Sequence, residues 1–361
     1  MKTNHDLPVT ERTKVFCESF GIRIPIIEAP MAGACTPERS AAITKAGGMG
    51  SLGATMLDAS SIDAWVSKFR SIGGGPLQIN LWIPDPPPRR DADAEARVAR
   101  FLEKWGPPVS PDAGDVQPQD FNAQCNAIIA ARPAVASSIM GLYPAPFVER
   151  LKANGIAWLA CATNVADARA AEAAGADAIV AQGVEAGGHR GSFDPETVDR
   201  SMIGLMALVP RVVDSVSIPV IAAGGIADGR AVAAALTLGA SAVQVGTAFL
   251  RATESALPAA WDAALDGLDP ENTMLTRAYS GRWCRLVATE YVRAATAPNA
   301  PPPAPYPVQG GLTAAMRADA LRHADAKRIA VAAGQGAAFA RAEPAGEIVS
   351  RLWRDASALL P

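Results

Sequence analysis

Short apolar runs alternate with segments of helical spacing along most of this chain. Eight runs stand out, at residues 25–30, 49–53, 77–82, 134–140, 156–161, 178–182, 219–223 and 242–245. Each is too short for a helix and nearly continuous in its apolar character, which predicts strands of a parallel sheet covered on its outer face by helices. Apolar residues recur at helical spacing over 60–69, 121–131, 147–154, 165–174, 201–214 and 230–238. Thr36 followed by Pro37 reads as an N-cap and first helical residue, and Gly155, Gly175 and Gly239 fall where helices should end. Eight such units favour a closed (β/α)8 TIM barrel, an α/β fold, over an open doubly wound sheet.

The rhythm breaks in three places. Residues 84–88 and 107–118 are proline-dense and flank a charged helix at 91–105, so 84–118 reads as an excursion from the scaffold. After Phe249 the spacing loosens, and 297–307 is close to a proline tract. The division expected is a barrel over 15–255 containing the excursion, a second, smaller lobe over 256–325, and C-terminal helices over 326–361 that return to the barrel. The glycines of 47–50 precede a strand, so they are not a dinucleotide fingerprint.

Composition narrows the class. The chain has 361 residues, 49% of them hydrophobic, which suits a barrel of about 250 residues plus a lobe. A net charge of −3 without a Lys/Arg run gives no footprint for nucleic acid. The N-terminal stretch is polar and lacks a signal-peptide core, and apolar runs such as 202–209 fall far short of the ~18 residues that span a bilayer. A cytoplasmic protein without a membrane partner is expected, and its oligomeric state is left open. The five cysteines, Cys17, Cys35, Cys125, Cys161 and Cys284, form no CxxC pair, so free thiols and no metal site are expected. Cys35 reads as a small residue in a tight loop.

Chemistry in such a barrel gathers at the C-terminal ends of the strands, with phosphate often held after the seventh and eighth. Those ends carry Gly224-Gly225 and Gly246-Thr247, whose bare N–H groups suit an anionic ligand, and Asp228 is placed to cap the next helix. Asn80 and Gln182 also end strands, where a buried amide must find partners. His189 is one of three histidines and lies in a glycine-rich loop after the sixth strand. It can take a proton or stabilise a developing anion. His5 falls in the N-terminal tail and His323 on a late helix, and neither draws a role. Glu185 is better placed to brace the loop than to act as a base. Arg190 fits either an anion-steering role or a surface ion pair, and Trp82 shares the strand face of Asn80. No nucleophile elbow, P-loop or HExxH is present.

Five motifs then carry a resemblance: EAPMAG at 28–33, QINLW at 78–82, VAQGVEAGGHRG at 180–191, PVIAAGGIADGR at 219–230 and VQVGTAFL at 243–250. Together with AGQG at 333–336, they make the chain similar to the nitronate monooxygenases from about Gly21 to about Pro344. The resemblance implies an FMN-bearing barrel that oxidises alkyl nitronates with O2 to a carbonyl compound and nitrite. It implies His189 as the catalytic base toward neutral nitroalkanes. It implies an FMN site lined by Met31, Ala32, Asn80, Gln182, Gly187, Gly188, Gly224, Gly225, Gln244, Gly246 and Thr247. Two segments depart from the family pattern. SGRWCR at 280–285 carries the bulkier Trp283 and Cys284, and SSIMGLYP at 137–144 lacks the expected His/Phe character. Both bear on the substrate cavity. Rival readings are an FMN-dependent enoyl-acyl-carrier-protein or NAD(P)H:quinone reductase, a non-redox phosphosugar barrel, and a non-catalytic flavin-binding protein.

Overall fold

A computed structural model of the chain describes residues 7–255 and 257–360; His5 lies outside them. The barrel strands are β1 (Ile26–Glu28), β2 (Gly50–Gly53), β3 (Leu77–Trp82), β4 (Val135–Ile139), β5 (Ala157–Ala162), β6 (Ala178–Gln182), β8 (Val220–Ala223) and β9 (Ala242–Val245). They pair in parallel in the order β1-β9-β8-β6-β5-β4-β3-β2. A parallel bridge between Ile27 and Met49 closes β1 onto β2, so the (β/α)8 barrel read from the sequence is the fold.

Strand alternation sorts the core. Ile27, Met49, Val135, Leu159, Val180, Ile221 and Ala242 point inward and form one cluster. Their neighbours Ile26, Leu52, Ile79, Trp158, Ile179, Val220 and Val243 pack outward against the helices. The β1–β2 seam has an additional staple. The Glu28 carboxylate takes the Arg39 Nε–H at 2.7 Å, the Ser40 hydroxyl at 2.6 Å and the Ser51 N–H at 3.0 Å. Both charged side chains are fully buried.

A helix at Val9–Phe20 plugs the N-terminal end of the barrel, where the sequence suggested only a polar tail. Its Phe16 and Cys17 join the inner cluster, and the Arg12 guanidinium donates to the carbonyls of Ala240 and Leu236 at 3.2 and 2.6 Å. The expected caps are present. Thr36 Oγ1 accepts the Arg39 N–H at 3.1 Å and Asp228 that of Ala231 at 3.0 Å, while Gly155, Gly175 and Gly239 leave their helices at positive φ.

Two helix expectations need correction. The segment 201–214 is helical only over Leu205–Val213, because Gly204 serves as N-cap after a 3-10 turn at Pro195–Arg200. The continuous helical reading of 326–360 fails for its first half. Residues 327–332 run along the lobe instead. Tyr291 donates to the Lys327 carbonyl and Val287 to that of Val331, each at 2.9 Å, and Ala332 bridges Leu286. Gly334 and Gly336 then thread between other loops, and the helix proper is Ala345–Ser357. It packs between the helices Pro37–Ala46 and Gly229–Thr237, so it is the outer helix that follows β9, and the lobe is inserted before it.

The lobe is built on an antiparallel sheet of β10 (Thr273–Thr276), β11 (Cys284–Val287) and a two-residue strand β7 (Gly188–His189) that comes from the barrel's own loop. Its apolar cluster includes Tyr279, Tyr291, Val308 and Met316 together with Val98 and Leu102 of the excursion helix Ala92–Leu102. The proline-flanked excursion and the late lobe thus share a core.

Candidate active site

His189 is positioned from two sides. From the barrel, Gln182 at the end of β6 grips the loop: its Nε2 donates to the His189 carbonyl at 3.0 Å, and its Oε1 accepts the Gly191 N–H at 2.9 Å and Arg190 Nη1 at 3.1 Å. From the lobe, β11 pairs Cys284 with His189 and Arg285 with Gly188, and the Arg190 N–H donates to the Trp283 carbonyl at 2.9 Å. Glu185 braces the loop as expected, accepting the Leu205 N–H at 2.8 and 3.1 Å. Arg190 is 2% exposed, which rules out the surface ion pair. Its Nη1 donates to the Gly183 carbonyl at 2.6 Å, and burial lowers its pKa.

The imidazole itself faces the lobe. Nε2 lies 2.8 Å from Ser280 Oγ, and the Trp82 ring stands edge-on at 4.7 Å. Burial, and then the charges of Arg282 and Arg317, bring the His189 pKa down to about 4, so the ring is neutral at pH 7. Tyr306 closes this wall, its ring 5.7 Å from Trp82 and 5.9 Å from the Arg282 guanidinium carbon. Arg282 is in turn paired with Asp85 of the proline-rich excursion.

The two departures from the family pattern take different places. In SGRWCR the residue that meets the histidine is Ser280, while Cys284 is buried in the lobe core and Trp283 lends its carbonyl to the ladder. SSIMGLYP wires the scaffold: Ser137 Oγ accepts Asn80 Nδ2 at 3.0 Å, Tyr143 donates to the Ser137 carbonyl at 2.7 Å, and Trp158 Nε1 donates to Ser138 Oγ at 3.0 Å. The sequence does not mark Ser280, Asp85 or Tyr306 as site residues: Ser280 opens the SGRWCR segment, whereas nothing local distinguishes Asp85 beyond the prolines on either side of it.

Beside the histidine, three glycine loops converge. A Cβ on Gly187 would fall 2.5 Å from the Gly334 nitrogen, and one on Gly336 would fall 2.7 Å from the Gly225 carbonyl oxygen. Gly224 and Gly225 turn through φ of +123° and +68°. Thr247 Oγ1 accepts the Gly334 N–H at 2.9 Å, and Gln335 donates to the Glu185 carbonyl at 2.9 Å, so AGQG is tied to both other loops. Gly246 adjoins Met31, whose sulfur would sit 3.6 Å from a Cβ there, and the exposed Ala32 caps the end of β2 against Gly53. Gln244 Oε1 receives Gln78 Nε2 at 3.4 Å. The structure therefore brings the named residues to one mouth, at or just beyond the C-terminal ends of β1, β3, β6, β8 and β9.

The mouth suits a planar, polar, phosphate-bearing group. The converging glycines form a rim of bare backbone on which an anion can rest. Gln78 Oε1 and Arg190 Nε and Nη2 are buried without a protein partner, which leaves hydrogen-bonding capacity for a polar ring edge. Cys35 braces the loop that carries Met31. Its thiol accepts the Met31 N–H at 3.2 Å, and burial pushes its pKa up to about 12.

A parallel eight-stranded barrel with a glycine cradle at its C-terminal mouth and a neutral histidine held over it by a second lobe defines a (β/α)8-barrel enzyme. The family model for nitronate monooxygenase matches residues 14–355, and the chain belongs to that family of flavin-dependent oxidoreductases. It is 40% identical over 346 residues to a nitronate monooxygenase of Paraburkholderia phytofirmans, covering 93% of each chain. It is 41% identical over 345 residues to one of Pseudomonas aeruginosa, covering 94% of this chain and 98% of the other. Among solved structures, a nitroalkane oxidase from Streptomyces ansochromogenes superposes with a TM-score of 0.84 at 35% identity, over 95% of this chain and 98% of the other. FabK from Thermotoga maritima gives 0.72 at 28% identity, over 96% of each. No helix among the described residues is long and apolar enough to cross a membrane.

Proposed function

We propose that this protein oxidises alkyl nitronates with O2 to a carbonyl compound and nitrite, using FMN. The observation that carries the proposal is a neutral His189 beside a glycine cradle, walled by Trp82, Ser280 and Tyr306. FMN supplies the electron transfer between substrate and O2 when bound. Gly187, Gly188, Gly224, Gly225, Gly246 and Thr247 would hold its phosphate. Asn80, Gln182, Gln244, Met31 and Ala32 would border the ring system. An uncharged imidazole can receive a proton from a neutral nitroalkane, whereas a nitronate is already an anion and needs none removed. Arg282 and Arg317 keep the electrostatic field around the histidine favourable to that anion.

The test is the absorbance spectrum of the purified protein, followed by oxygen uptake with propyl-2-nitronate and with the neutral nitroalkane. A yellow protein that releases FMN on denaturation and takes up oxygen with the nitronate is expected. Rapid reduction by NADH without nitronate-dependent oxygen uptake would overturn the reading in favour of a reductase. A colourless protein would point to non-redox chemistry, and bound flavin without turnover to a binding role alone.

A further inference from the structure

The proline-rich stretch after β3 has no part in the chemistry above, yet it delivers one carboxylate to the edge of the site. Asp85 stands between Pro84 and Pro86, which restrict the backbone on both sides and favour an extended Asp85. Its two oxygens receive Arg282 Nε, at 2.8 Å, and Arg282 Nη2. The Arg282 side chain is 6% exposed and that of Asp85 22%, so the pair is shielded and bidentate rather than a loose surface contact.

Arg282 leads directly to the histidine. Its N–H donates to Ser280 Oγ at 3.3 Å, its carbonyl accepts the Ser280 hydroxyl at 3.2 Å, and Ser280 Oγ meets His189 Nε2 at 2.8 Å. The turn between them is tightly seated. Gly281 has φ of +87°, and a Cβ there would fall 2.6 Å from both the Ala304 carbonyl oxygen and the Tyr306 nitrogen. The turn is thus anchored on its C-terminal side twice, by Asp85 through Arg282 across 197 residues of sequence and by the β7–β11 ladder that starts at Cys284.

We propose that Asp85 is a positioning residue for His189, acting through Arg282 to hold the turn whose Ser280 hydroxyl bonds Nε2. Asp85 also balances the Arg282 charge beside the imidazole. The other charge acting on the ring is Arg317 from the helix Ala314–Arg322, and Tyr306, packed on Trp82 and Arg282, is kept protonated by burial. The proposal rests on the reading of His189 as the group that meets substrate.

Asp85→Asn, Asp85→Glu, Arg282→Gln and the Asp85→Asn/Arg282→Gln double variant test it in the purified flavoprotein. The first readout is the imidazole titration of His189 by NMR. Removing the cation should raise its midpoint by about 0.5–1 pH unit, and removing only the carboxylate should move it the opposite way. In the Arg282→Gln background, Asp85→Asn should no longer change the ratio of nitroalkane to nitronate turnover, because the positional route through Arg282 is already gone. The second readout is kcat/KM for a neutral nitroalkane relative to its nitronate. Asp85→Asn should lower that ratio about tenfold, and Asp85→Glu should recover most of it. Midpoints that move in the same direction, an Asp85 effect on the substrate ratio that survives without Arg282, or equal loss on both substrates would overturn the proposal. If the parent protein turns over neither substrate, the functional reading fails, and the NMR arm still decides the coupling. Should Asp85→Asn not fold, the glutamate variant and Arg282→Gln carry the same comparison.

Discussion

Lowering the pH should leave the His189 imidazole uncharged well after a solvent-exposed histidine has taken up a proton. Burial, then Arg282 and Arg317, set its pKa at about 4 against an ordinary 6.5. At about 1.4 kcal/mol per unit, that gap corresponds to about 3.5 kcal/mol in favour of the neutral form. The folded value lies below the unfolded one, so between the two the unfolded chain binds the extra proton. The contribution to stability is intact above pH 6.5 and is lost as the pH falls toward 4. His189→Asn removes this titration, so the stability difference between variant and parent should move in the variant's favour by up to about 3 kcal/mol from pH 7 to pH 4. The direct assay is NMR of the imidazole Cε1–H signals in substrate-free protein. The chain has three histidines, and the signal lost in His189→Asn assigns the one of interest. Its midpoint should fall below pH 5. A midpoint at 6.5 or above would mean that Trp82, Ser280 and the lobe do not desolvate the ring, and the reasoning that makes it a neutral base at pH 7 would fail.

Three other perturbations follow from the geometry. Glu28→Ala strands the fully buried Arg39 at the β1–β2 seam and should cost about 3–5 kcal/mol, a melting shift of roughly 4–7 °C for a chain of this length; calorimetry showing under 1 °C would refute the staple. Gly187→Ala places a Cβ 2.5 Å from the Gly334 nitrogen, backbone against backbone. Flavin retention through gel filtration should drop at least about tenfold, with about 1–3 kcal/mol of overall destabilisation, and full retention would show that the cradle tolerates a side chain. Gln182→Leu frees the His189 carbonyl and the Gly191 N–H. Hydrogen exchange at residues 189–191 should quicken by about 10–100-fold, as loss of these bonds lowers the opening energy; unchanged protection would mean the lobe ladder alone holds the loop.

The barrel was legible because eight strands buried on both faces leave continuous apolar runs, and because Thr36, Asp228 and the glycine caps mark helix ends locally. The histidine loop and Gln182 were legible for a similar reason: strand end, glycines and histidine are adjacent in sequence. Ser280 and Asp85 escaped because their contacts bridge 91 and 197 residues, respectively, and arise only when the lobe docks. The first helix was hidden because its buried face includes Arg12 and Thr13 beside Phe16 and Cys17, which gives little apolar periodicity. The stretch 326–344 misled for the opposite reason. Its alanines favour helix, but pairing with β11 and the close passage of Gly334 and Gly336 outweigh that preference.

The position of the helix Ala345–Ser357 has a consequence for how the protein is made. It follows the lobe, yet its Ile348, Val349 and Leu352 complete the shell between the first barrel helix and the one before β9. A chain emerging from the ribosome therefore carries all eight strands and the whole lobe before the last stave of the barrel exists. Until then the strip along Pro37–Ala46 and Gly229–Thr237 stays uncovered, a greasy seam open to chaperones and proteases. A chain lacking Ala345–Ser357 should therefore expose that apolar strip and be cut more readily in limited proteolysis than the parent.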